Sequence, residues 1–119
     1  MANKKTTRVS KRPWGKFETL IDAPNYKVKR LTVVPKGKLS LQSHNHRSEN
    51  WVIAHGVAKI TNGKKEITLK KSEHIFIPVG NKHRLENLGK ENLEVIEIQT
   101  GDYFGEDDII RYADIYNRV

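Results

Sequence analysis

The sequence predicts an all-β domain, a barrel or sandwich of short strands. Short runs rich in β-branched and aromatic residues recur between turn signals. Asn62-Gly63 lies between two such runs and is the strongest hairpin signal in the chain. Residues 39–46 alternate, Leu39 and Leu41 against Ser40, Gln42, His44 and His46, as on a strand with one apolar and one polar face.

The elements follow in order. Phe17–Ile21 is the first strand. Tyr26–Val34 is the second, with β-branched Val28, Thr32, Val33 and Val34. Pro35-Lys36-Gly37 is a turn, and Leu39–His46 follows it. Trp51–His55 is a short apolar strand ended by Gly56. Val57–Thr61 and Glu66–Leu69 flank the Asn62-Gly63 turn. His74–Ile77 stops at Pro78-Val79-Gly80, and His83–Glu86 stops before Leu88-Gly89. Leu93–Thr100 closes the strand series. Asp107–Tyr116 is expected to be a helix or a pair of irregular turns.

A chain of 119 residues fits one domain and can bury a core without covalent staples. Cysteine is absent, which removes disulfides, thiolate zinc sites and cysteine nucleophiles. No N-terminal apolar run suggests a signal peptide, and no stretch has transmembrane length, so a cytoplasmic protein without membrane contact is expected. The net charge is +8. Lys4, Lys5, Arg8, Lys11 and Arg12 supply much of it without a neighbouring acid. Residues 1–11 are therefore expected to be a flexible basic tail, and residues 12–119 the single domain. No aromatics interleave with the tail's cations and no nucleic-acid-binding signature follows, so a nucleic-acid partner is not expected. A basic domain suits an anionic small molecule.

Two clusters carry the chemistry. The first is Gln42-Ser43-His44-Asn45-His46-Arg47-Ser48-Glu49, and the second runs from Pro78 to Asn87 around His83. On a continuous strand, 42, 44 and 46 share a face. Imidazole and carboxylate together suit one divalent transition ion. Histidines His55 and His74 belong to neither cluster and are expected to be structural.

The same residues resemble the cupin superfamily. Gly37, His44-x-His46, Glu49 and Gly56 match its first motif; Pro78, Gly80, His83 and Asn87 match its second. The glycine that usually opens the second motif is Ser72 here. More closely, the chain resembles the type II phosphomannose isomerase domain, usually the C-terminal part of bifunctional guanylyltransferase/isomerases. The resemblance rests on Arg12-Pro13-Trp14-Gly15, Tyr26–Leu31, Leu39–Gln42, His46–Trp51, Ile77–Asn87 and Gly105–Arg111. It implies a double-stranded β-helix, or jelly-roll barrel, and by analogy a homodimer. It further implies a metal-dependent conversion of mannose 6-phosphate to fructose 6-phosphate. No Gly-rich nucleotide loop occurs, so guanylyltransferase activity is not expected. The alternatives are a non-catalytic cupin that binds a sugar phosphate or sugar nucleotide, or the detached partner of a separate guanylyltransferase.

Cupins usually place three or four residues between the second histidine and the glutamate, whereas His46 and Glu49 are separated by two. Reading the pair as Gln42-x-His44 restores four and resembles the Gln-x-His zinc element of type I phosphomannose isomerases. The expected ligands are therefore Gln42, His44, Glu49 and His83, with His46 as the alternative fourth. Zn²⁺ is the first expectation, with Mn²⁺, Fe²⁺, Co²⁺ and Ni²⁺ open. An aldose–ketose isomerase also needs a base and a phosphate clamp. His46 and Glu97 are the candidate bases, with Glu86 behind them. Arg30, Arg47 and Arg84 are the candidate phosphate ligands. Strand alternation turns either Lys27 with Lys29, or Arg30, inward, and Arg30 is preferred.

Overall fold

The computed structural model describes residues 8–116. Its strands are β1 (Arg8–Arg12), β2 (Gly15–Asp22), β3 (Tyr26–Val33), β4 (Leu41–Ser43), β5 (Arg47–His55), β6 (Val57–Asn62), β7 (Lys65–Lys70), β8 (His74–Ile77), β9 (His83–Asn87), β10 (Leu93–Gly101) and β11 (Ile110–Ala113). They form two antiparallel sheets, ordered β1-β2-β3-β10-β5-β8 and β11-β4-β9-β6-β7. The interior between them is the core, built on Trp14, Leu31, Val33, Trp51, Ile53, Ile60, Leu85 and Val95.

The registers put like with like along the barrel axis. On β10 the inward residues are Leu93, Val95, Glu97 and Gln99. Leu93 pairs with Val33 and Val95 with Leu31 on β3, while Glu97 faces Lys29. On the other side Val95 pairs with Ile53, Glu97 with Trp51 and Gln99 with Glu49. One end of the interior is therefore apolar, and the other carries buried Lys29, Glu49, Glu97 and Gln99.

Three local details depart from the sequence reading. Residues 8–12 are not a free tail: β1 pairs along its length with β2, Arg8 opposite Thr19 and Arg12 opposite Gly15. Residues 1–7 lie outside the described residues. The hairpin turn is centred one residue later than expected, since Asn62 pairs with Lys65 and leaves Gly63-Lys64 as the loop. Gly63 has φ 65°, the positive value that a type II′ turn asks of its first central residue. Among the described residues, the segment after β10 forms no helix. Ile110 pairs with Ser43 and Arg111 with Gln42, so it closes the second sheet as an edge strand.

Side chains of the two motifs hold the loops around the site. Asn87 donates to the Val33 and Glu91 carbonyls, both at 2.8 Å, and accepts from the Gly89 amide at 2.8 Å. Its own amide donates to the Gly37 carbonyl at 3.0 Å, joining the first motif to the second. Gly80 donates to the His44 carbonyl at 2.9 Å. Ser72, where the family pattern has glycine, sits in the left-handed region at φ 76°.

Candidate metal centre and its cavity

β4 ends at Ser43, short of the expected His46. The cause is Asp108, whose carboxylate accepts from the Asn45 and His46 amides, each at 2.9 Å. Those amides are thereby taken out of any ladder, and the chain turns. Burial alone would raise the Asp108 carboxyl pKa. The two amides, with His46 and His44 nearby, outweigh it and hold the group below its ordinary value.

His44, Glu49 and His83 converge from the end of β4, from β5 and from the start of β9. All three are buried, and their ligand atoms lie within 4.8 Å of one another. Nδ1 of His44 is 2.6 Å from the Asp108 carbonyl, and Nδ1 of His83 is 3.0 Å from the Asn81 carbonyl. A carbonyl only accepts, so each ring carries its proton on Nδ1 and leaves the Nε2 lone pair for the site. Burial, reinforced by Arg47, pushes His44 down to about 4. Burial likewise lowers His83. Both rings are therefore neutral at pH 7, the form that binds metal.

Glu49 is oriented from two sides. Its Oε1 accepts from the Trp51 indole at 2.9 Å and its Oε2 from Arg47 Nε at 2.9 Å. Trp51 also stands edge-on to His83, with ring centroids 5.5 Å apart. The Arg47 Nη2 approaches His44 Nε2 at 3.2 Å. Two imidazoles and one carboxylate fit a divalent ion, and Arg47 must yield those lone pairs to it.

Gln42 lines the same cavity and pairs in register with His83. Its Nε2 donates to Ser40 at 2.8 Å, so Oε1 is the atom it offers an ion. His46 lies elsewhere. Its side chain is 54% exposed, and its Nδ1 is 3.3 Å from Asp102. The expectation that 42, 44 and 46 share one face fails because the strand does not reach 46.

Glu97 is fully inside, beside Glu49 and on the cavity wall. Burial and the Glu49 charge push it up to about 7. Gln99 holds its Oε2 at 3.0 Å. Glu86 is off the site, 3.8 Å from Lys38 and 3.9 Å from Lys59.

Of the expected phosphate ligands, Arg47 is buried and bound to Glu49. Arg84 lines the cavity but ties the segment before β4 to β11, donating to the Leu39 and Ala113 carbonyls at 2.9 and 3.0 Å. Arg30 is a correction. It lies on the outer face, clamped to Glu18 by bonds of 2.8 and 2.9 Å. Lys29 faces inward instead, because it shares its parity on β3 with the core residues Leu31 and Val33. The sequence does not choose that parity, since Val28 and Val34 are apolar on the other one. Arg12, Glu106 and Arg111 also line the cavity, and the sequence reading gave none of them a role. His55 pairs with Glu91 at the surface, and His74 is exposed; neither joins the centre.

The family described as Mannose-6-phosphate isomerase C-terminal matches residues 2–114. The xanthan biosynthesis protein XanB of Xanthomonas campestris pv. campestris is 46% identical over 108 residues, which is 91% of this chain and 23% of XanB. The mannose-1-phosphate guanylyltransferase of Klebsiella pneumoniae is 48% identical over 107 residues, 90% of this chain and 23% of that protein. The alginate biosynthesis protein AlgA of Pseudomonas aeruginosa is 44% identical over 108 residues, 91% of this chain and 22% of AlgA. The chain thus spans under a quarter of the length of these relatives. In fold, it is similar to the capsular polysaccharide assembling protein CapF of Staphylococcus aureus. That match has a TM-score of 0.81 at 20% identity and covers 93% of this chain and 34% of CapF. The Schizosaccharomyces pombe Cnp3 cupin domain gives 0.70 at 20% identity over 73% of this chain and 64% of that one. The fold is a cupin double-stranded β-helix, and the chain belongs to the mannose-6-phosphate isomerase C-terminal family.

Proposed function

We propose that this domain converts mannose 6-phosphate to fructose 6-phosphate with a divalent ion held by His44, Glu49 and His83, with Gln42 as fourth ligand. The carrying observation is that Gln42, Glu49, His83 and buried Glu97 line one cavity, with His44 gathered against Glu49 and His83. Arg12, Lys29, Arg47, Arg84 and Arg111 outnumber Glu49, Glu97 and Glu106 on its walls, which suits an anionic substrate. When bound, the ion supplies Lewis-acid stabilisation of charge developing on a substrate oxygen. Glu97 takes the proton from C2 of the open-chain aldose and returns it to C1, while the hydroxyl proton passes from O2 to O1. Gln99 holds the carboxyl in place, and the barrel walls exclude bulk water.

A second reading, a sugar-phosphate-binding module without turnover, is favoured by Arg47, whose guanidinium already engages Glu49 and His44. A coupled assay for fructose 6-phosphate with added Zn²⁺, Mn²⁺ or Co²⁺ separates the two. The isomerase reading expects turnover, and a Glu97→Gln loss of about 10²–10⁴ in kcat with the metal retained. No turnover from folded, metal-loaded protein leaves only the binding module.

A further inference from the structure

A second charged arrangement lies on the cavity wall beside the ligand cluster. Lys29 is 3% exposed, a rare state for lysine, since a buried ammonium is costly unless it is paired and hydrogen-bonded. Its Nζ has three donors. Among the described residues it makes one hydrogen bond, to Glu106 Oε2 at 2.7 Å, and it lies 4.3 Å over the Phe17 ring. Arg12 stands over the same ring at 4.8 Å, with Nη2 3.9 Å from the other Glu106 oxygen. Glu106 thus sits between a buried ammonium and a guanidinium.

The two sides of this arrangement differ in rigidity. Lys29 belongs to a central strand, paired on both sides by β2 and β10. Glu106 belongs to the loop between β10 and β11, and its side chain is 47% exposed. Lys29 is held by its strand, whereas the Glu106 carboxylate is carried by a loop, which moves more cheaply than a paired central strand.

We propose that Lys29 and Arg12 form a phosphomonoester subsite, and that Glu106 is an internal carboxylate which the phosphoryl group displaces. A phosphoryl dianion has more charge than a carboxylate. Its oxygens can use the remaining Lys29 donors and the Arg12 fork together. Lys29 faces Glu97 in the β3–β10 register, so one substrate can span the subsite and the base. The inference rests on the sugar-phosphate reading above and names the residues that select for it.

The test is titration calorimetry of the full chain with inorganic phosphate, mannose 6-phosphate and mannose. Wild type binds the first two, and mannose at least about tenfold more weakly. Glu106→Ala tightens inorganic phosphate about tenfold, since it removes a charge-assisted competitor. Lys29→Met weakens it by about the same factor or more, and Arg30→Met on the outer face leaves it unchanged. Phosphate binding that does not tighten in Glu106→Ala, or that survives in folded Lys29→Met, overturns the subsite. If Lys29→Met does not fold, the loop variant decides. Expected binding changes without isomerisation by wild type sink the isomerase reading and keep the subsite. Isomerisation with an unchanged KM in Lys29→Met does the reverse.

Discussion

Replacing Asp108 with alanine tests whether this residue shapes the metal centre. Its carboxylate makes two charge-assisted bonds, to the Asn45 and His46 amides at 2.9 Å. At the low end of about 1.5 kcal/mol for each, Asp108→Ala costs about 3 kcal/mol. At about 2.1 cal/mol/K per residue, unfolding a chain of this length carries roughly 0.25 kcal/mol/K, so Tm falls by about 12 °C. The pH dependence adds a signature. A carboxyl held below its ordinary value contributes stability that is present above its unfolded pKa and lost as pH falls through the folded one. The gap between wild type and variant therefore narrows as the pH drops below 3.8. The turn also positions His44, so metal affinity falls about 10–100-fold. Thermal melts between pH 3 and 7 and metal titration check both parts. An Asp108→Ala protein melting within about 3 °C of wild type at pH 7 would refute the reasoning.

His83→Ala abolishes tight metal binding, whereas His46→Ala keeps it within about threefold; calorimetry with Zn²⁺ reads both, and loss in His46→Ala alone would put His46 back among the ligands. Ser72→Gly removes about 1–2 kcal/mol of left-handed strain, partly offset by about 0.5–1 kcal/mol of unfolded-chain entropy. It raises Tm by about 3 °C in a thermal scan, and a lower Tm would show that Ser72 is not strained.

Much of the site could be read in advance because motif chemistry is local. His44, Glu49 and His83 stand out as ligand types at fixed spacings, and the structure gathers them. Glu97 was legible through its alternation with Gln99 on the last strand. His46 was not, because its apparent register depends on where β4 stops. That is decided by Asp108, 62 residues away in sequence. The outward side of Arg30 is not legible in the sequence, because alternation gives two parities and not which one is inward. Only the packing of Leu31 and Val33 against the opposite sheet settles it. The basic residues of β1 look like a loose end by composition, and Asp107–Tyr116 like a helix or irregular turns. Each becomes a strand because a sheet edge offers it backbone partners.

The sequence by itself determined the strand-rich architecture, the hairpin, the family and the principal ligand-type residues, since propensity, turn chemistry and motif spacing all act over a few residues. Tertiary structure alone decided which face of each strand meets the cavity, where β4 ends, and that Lys29, Arg12 and Glu106 meet there. Those outcomes depend on pairings between residues far apart in the chain, and no local pattern encodes which pairing buries the most apolar surface.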